Sequence, residues 1–164
     1  MLRSFLERII SDNKITLLGV GPMSLNCVNA TISISNEYSI PIFLIASRRQ
    51  IDSKDFNGGY VNNWDTKKYS DYVLNRDKGG KVILARDHGG PWQNPLEVKQ
   101  KLSLSNALDS AKQSYMQDID CGFKILHIDT CLDIHGDIEP RDSLNRLFEL
   151  YEFCWNYAQS KNKE

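Results

Sequence analysis

Only three histidines, His88, His127 and His135, and four cysteines, Cys27, Cys121, Cys131 and Cys154, occur in the 164 residues. The cysteines form no CxxC pair and no zinc-ribbon spacing, which excludes a metal knuckle and a small disulfide scaffold. Free thiols in a reducing cytosol are the expectation. No apolar stretch approaches the ~20 residues that cross a bilayer as a helix. The first 13 residues are interrupted by Arg3, Glu7, Arg8 and Asp12 and so lack the apolar core of a secretory signal; a cytoplasmic protein is expected. A formal net charge of -1, with lysine and arginine scattered singly, gives no basic surface for nucleic acid or anionic lipid. There is no P-loop, no dinucleotide fingerprint and no Ser, His and Asp triad signature. What remains, 41% apolar and 25% charged residues, is the composition of an ordinary globular domain. The length suits one core, and residues 1–164 are expected to form a single domain with a polar tail over 159–164.

Four short apolar runs alternate with longer segments that read as helices, at a period of about 40 residues. The runs are Ile15 to Val20, Ile42 to Ala46, Lys81 to Ala85 and Phe123 to Ile128. Ser24 caps a helix to about Tyr38, and Asp65 caps one to about Arg76 after a long loop containing Gly58 and Gly59. Pro95 opens a third, with a break near Leu104 to Asn106, that reaches about Gln117. A fourth spans about Arg141 to Ala158, its Leu144, Leu147, Phe148, Tyr151, Cys154 and Trp155 spaced as one apolar face. The pattern predicts an α/β fold of about four βα units on a parallel sheet. By itself it leaves open a doubly wound sheet or part of a (β/α)8 barrel.

In both architectures chemistry gathers beyond the C-terminal ends of the strands, and all four ends here are polar or special. They carry Gly21, Pro22 and Ser24; Ser47, Arg48 and Gln50; Arg86, Asp87 and His88; and Asp129, Thr130 and Asp133. Four such ends predict one shared site. Asp87 beside His88 suits a metal ligand with a proton-transfer or ligand-orienting carboxylate. Taken without context, the pair suits somewhat better an aspartate bonded to loop amides and a histidine bonded to backbone. A metal needs further ligands; His127 reads as a core histidine inside its strand, and His135 as either a ligand or an exposed loop residue. Arg48 and Arg86 are candidates to grip phosphate or carboxylate oxygens, whereas Arg49 reads as a solvated loop residue. Gly58, Gly59 and Tyr60 close either on a ligand or on a tight turn. Asp129 and Asp133 are expected to face each other across a short loop, where hydrogen bonding to the loop is favoured over sharing a proton or a cation, and Trp92 and Trp155 are expected to be core or helix-packing residues.

The strings ASRRQID, FNGGY, KVILARDHGGPWQNP and KILHIDTCLD, in that order, resemble the non-catalytic subunit family of class II tagatose-bisphosphate aldolase. The resemblance runs from about Ile15 to the last helix and is most specific from Leu84 to Gln93. It implies a TIM barrel, here a half barrel, and it assigns proton transfer to Asp87 and one zinc ligand to His88. Ser47, Arg48, Gly59, Arg86 and Asp129, at the strand ends and the loop beside them, are the expected substrate-binding residues, and the resemblance implies a phosphorylated sugar as the ligand. The remaining zinc ligands of such aldolases come from later strands than the four present. Ala85 and Arg86 stand where the family pattern has small residues. The implied role is an accessory, non-catalytic subunit, partnered by a catalytic aldolase subunit or a second copy of itself. Two alternatives are a metal-dependent lyase or isomerase assembled from paired half barrels, and an inactive shortened barrel.

Overall fold

Four parallel strands lie in the order β1-β2-β3-β4, and each new strand adds on the same side of the one before it. The computed structural model describes residues 16–163 together with Ser4, Glu7 and Ser11. The strands are β1 (Leu18–Val20), β2 (Ile42–Ser47), β3 (Val82–Gly89) and β4 (Ile125–Ile128). The helices are α1 (Leu25–Tyr38), α2 (Thr66–Leu74), α3 (Pro95–Lys99), α4 (Leu104–Asp120) and α5 (Pro140–Ser160), with a 3-10 turn at Lys54–Phe56. A doubly wound sheet reverses its order at a switch point. This one never reverses, and right-handed crossovers then place every helix on one face. That is the arrangement of a TIM barrel, so the fold is α/β with four βα units, half a barrel.

Helix ends follow the expected caps. Ser24 Oγ accepts the Cys27 amide at 3.2 Å and Asp65 Oδ1 accepts that of Lys68 at 2.8 Å. α1 forms despite its β-branched residues because Val28, Thr31, Ile32 and Ser35 make one buried stripe, and burial outweighs the small propensity cost. The third helix does break, a little earlier than predicted, over residues 100–103. Trp92, fully buried, donates its indole N–H to the Leu102 carbonyl at 2.9 Å within that break. α5 ends at Ser160, so the first two residues of the predicted tail still belong to the helix. Of the first predicted strand, Leu18 to Val20 is strand and Ile15 lies outside the described residues.

Strand alternation divides the sheet into two faces. Leu44, Ala46, Val82 and Leu84 point to the helices and pack with Val28, Ile32, Tyr69, Val73 and Phe123. Leu126 and Ile128 meet a second cluster made by Ala111, Tyr115 and Ile119 of α4 with Leu150 and Cys154 of α5. The other face carries Ile45, Ala85 and Ile125 in register, and Ser47 opposite Asp87. In a closed barrel that face is the interior.

α5 departs from the sequence reading. Leu150 and Cys154 are buried, whereas Leu144, Phe148, Tyr151 and Trp155 are all more than half exposed. The apolar residues surround more of the helix than one stripe, and those turned toward α4 are buried while the others stay exposed. Among the described residues no helix is long and apolar enough to cross a membrane.

Candidate functional site at the strand ends

β3 runs on past its apolar residues to Gly89, carrying Arg86, Asp87 and His88 as strand rather than loop. Simple alternation would send Arg86 and His88 to the helix side and Asp87 to the interior. The pairing shifts here, however: Arg86 pairs with Leu126 but Gly89 pairs with Ile128, so three steps on β3 match two on β4. This bulge re-aims one side chain, and His88 takes a left-handed φ of 43°. Asp87 and His88 therefore both face the interior. Gly90 follows at φ 152°, and a Cβ there would collide with the Asp129 backbone, so the chain passes too close for any other residue.

β4 adds His127 to the same corner. Its Nδ1 lies 3.5 Å from Asp87 Oδ1, and His88 Nε2 lies 3.7 Å from that same oxygen. The two imidazole rings have centroids 5.3 Å apart. His127 is exposed on the interior face, not in the core as its strand setting suggested. Its neighbours Leu126 and Ile128 take the helix side, which leaves the imidazole no other direction.

Asp129, just beyond β4, holds His88. Its Oδ2 lies 2.6 Å from His88 Nδ1 and accepts Gln93 Nε2 at 3.1 Å, while Oδ1 accepts the Cys131 amide at 3.1 Å and the Cys131 thiol at 2.6 Å. Burial alone would push the Asp129 carboxyl up, but the bonds from Cys131 and His88 hold it below the usual carboxylate range. The hydrogen bond to Asp129 raises His88 above an ordinary histidine, and the same carboxylate raises the Cys131 thiol. Burial pushes Cys154 up to about 12 and Cys121 up to about 11. None of these thiols is prepared as a nucleophile at neutral pH.

The cluster opens into a cleft of 550 Å³ lined by Ser47, Arg49, Gln50, Tyr60, Asp87, His88 and Gln93. Arg49 is exposed there and supplies its guanidinium; Gln50 is fixed by accepting the Ser47 amide at 2.9 Å. Gly59 serves the loop rather than a ligand. A Cβ there would strike the Gln50 backbone, and the loop closes through the Gly59 amide on the Trp64 carbonyl at 3.1 Å and the Tyr60 amide on the Arg49 carbonyl at 3.1 Å.

Arg48 and Arg86, the two arginines expected to bind substrate, are both buried on the helix side with their donors committed. Arg86 donates to both oxygens of Asp118 at 2.7 and 2.6 Å, and to the Ala46 and Ile51 carbonyls. Arg48 donates to Asp52 at 2.9 Å, to the Gly90 carbonyl at 2.9 Å and to Ser110 at 3.1 Å, and pairs with Glu97 at 2.7 Å. They tie strand ends together beneath the cleft. Arg49, read as a loop residue, takes the position expected of them. Asp133 does not face Asp129: it accepts Arg146 at 2.7 Å and the His135 amide, and His135 Nε2 lies 2.9 Å from the Leu102 carbonyl, packed edge-on to Trp92. Thr130 bonds to Ser143 at 2.8 Å. Of the predicted site residues, Ser47, Asp87, His88 and Asp129 come together, and Gly59 supports the loop beside them.

The donor set fits a divalent metal. One ligand atom each from Asp87, His88 and His127 lie within 4.8 Å of one another, and three protein donors with an open fourth position are the usual plan of a catalytic zinc site.

The fold and the cleft define a half barrel with a strand-end site. No protein-family model matches the chain, and no curated protein matches it. A crystal structure of a probable tagatose 6-phosphate kinase from Sinorhizobium meliloti 1021 superposes with a TM-score of 0.72 at 18% identity, covering 87% of this chain. This chain spans 37% of the length of that one. At that identity the likeness bears on the fold.

Proposed function

We propose that the cleft binds a phosphorylated sugar and that the chain is an accessory half barrel to a class II tagatose- or sugar-bisphosphate aldolase in the cytoplasm. The observation that carries this reading is the joining, in one strand-end cleft, of an exposed Arg49 with Asp87, His88 and the amides of Gln50 and Gln93. A guanidinium grips a phosphate with paired hydrogen bonds, and amide and hydroxyl groups suit a sugar's hydroxyls. The name of the structural neighbour, a probable tagatose 6-phosphate kinase, supports the same substrate class. Zinc bound here would polarise a sugar carbonyl or hydroxyl. Ser47, Arg49 and Gln93 orient the ligand, and Asp129 holds His88.

The exposed apolar residues on both flanks of the sheet suit packing against further βα units. Asn29 and Asn36 of α1 bond toward α2, to Tyr72 and to the Arg76 carbonyl, so Ile34 and Tyr38 lie on the side away from it and are exposed. At the other end the exposed Leu144, Phe148, Tyr151 and Trp155 of α5 turn away from α4. Both flanks are where neighbouring βα units would pack. A catalytic aldolase subunit is the partner this reading favours; a second copy of the chain, pairing into a metal-dependent lyase or isomerase, is the alternative.

Calorimetry with tagatose 6-phosphate and with unphosphorylated tagatose tests the ligand class. Saturable binding of the phosphorylated sugar alone, weakened at least tenfold in Arg49→Ala, is expected. Equal response to both sugars, or to neither, would refute it. Adding the chain to a catalytic aldolase subunit should raise its activity, and light scattering of the chain alone distinguishes a self-paired dimer.

A further inference from the structure

We infer that Asp87, His88 and His127 form a divalent-metal site complete within these four strands, with Asp129 as its positioning residue. The inference deepens the proposed function and rests on it for the role of the site, but zinc alone tests it. The family resemblance places zinc ligands beyond His88 on later strands and leaves Asp87 as a free proton carrier. The geometry here supplies a different set.

Bonds of ~2.0–2.1 Å in a tetrahedron place ligand atoms about 3.4 Å apart. Asp87 Oδ1 stands 3.5 Å from His127 Nδ1 and 3.7 Å from His88 Nε2, close to that spacing before any metal draws them in. A second, independent feature points the same way. His88 Nδ1 is engaged by Asp129 at 2.6 Å, which leaves Nε2, 3.7 Å from Asp87 Oδ1, as the nitrogen available to a metal. Such a carboxylate behind a ligating imidazole fixes its tautomer and orientation. Asp129 is itself held by Gln93 and by the Cys131 amide and thiol, so it cannot swing in as a ligand without breaking those bonds. The β3 bulge and the left-handed backbone of His88 exist at this residue and aim its ring into the cluster. Two imidazoles and one carboxylate favour zinc over magnesium or calcium.

A consequence separates this chain from a catalytic aldolase. With its carboxylate bound to metal, Asp87 is no longer a free base, so the half barrel holds metal and sugar phosphate without supplying the proton carrier. That matches an accessory role.

Equilibrium dialysis of the full chain against zinc, and the visible spectrum of the cobalt-substituted chain, test the site with no sugar present. One metal per chain and the intense bands of four-coordinate cobalt are expected. His127→Ala and His88→Ala should each weaken zinc at least 100-fold, and His135→Ala should leave it unchanged. Asp129→Asn should weaken zinc 10- to 100-fold while the thermal midpoint holds, and Asp129→Glu should recover part of the loss. If His88→Ala fails to fold, His127→Ala decides, because that side chain is 55% exposed. Absence of stoichiometric zinc in the native chain, or native affinity in His127→Ala, would overturn the inference. Zinc binding without sugar binding would defeat the sugar-phosphate reading and leave the metal site standing; the reverse outcome would do the opposite.

Discussion

The two faces of the sheet meet at the same strand ends and use the same residue types in opposite ways. On the helix face, Arg48 and Arg86 are sealed from water, with Asp52, Asp118 and Glu97 around them. On the interior face, Arg49, Asp87 and His88 line an open cleft, and His127 stands exposed beside Asp87. Chemistry-bearing residue types therefore do not by themselves mark a site. A buried, fully bonded charge holds backbone in place, and an exposed, partly bonded one is available to a ligand.

The comparison breaks most sharply at Arg86. Arg86→Met leaves the Asp118 carboxylate buried without its fork and should cost about 3–5 kcal/mol, measured by urea unfolding. Asp118→Leu added to it should restore much of that loss, since the uncompensated charge is then gone. Gly90→Ala comes next: at φ 152° and against the Asp129 backbone, it should cost about 2 kcal/mol or more and displace Asp129 from His88. Arg49→Ala and His127→Ala should change stability by no more than ~0.5 kcal/mol, as exposed substitutions do, while weakening sugar-phosphate binding at least tenfold and zinc binding at least 100-fold respectively. A loss of folding in these two would erase the distinction between the faces.

The smallest effect belongs to Asp133. Burial would raise its carboxyl, but the His135 amide and Arg146 hold it below the usual value. A depressed folded pKa contributes stability that is present above ~3.9, the unfolded value, and is lost as pH falls through the folded one. Asp133→Asn should cost about 0.5 kcal/mol at neutral pH, and the difference from the native chain should vanish in the acid limb of a pH series. A difference that persists at the lowest pH would assign the effect to packing instead.

The four strands, the caps at Ser24 and Asp65 and the convergence of Ser47, Asp87, His88 and Asp129 were all legible in the sequence, because apolar runs and turn residues act locally. Arg86 was misread for a reason the sequence does contain. Once β3 is extended through Arg86, alternation with Leu84 turns it toward the helices. The same parity argument sends His127 away from Leu126 and Ile128 and onto the interior face. The bulge that brings His88 beside Asp87 was not legible, since it depends on pairing with β4. Arg49 was read as a solvated loop residue and is one; its place at the cleft was not legible, because that depends on the fold of the Gly58 and Gly59 loop. On α5 the apolar residues cover two faces, and periodicity cannot tell which one has a partner.

Amide and imidazole chemical shifts of the chain, followed as tagatose 6-phosphate is added, test the division between the two faces directly. Saturable shifts are expected at Ser47, Arg49, Gln50, Asp87, His88 and Gln93, with the Arg48 and Arg86 guanidinium signals retaining their slow exchange with water. Shifts centred on Arg48 and Arg86, or none on the cleft residues, would contradict that division.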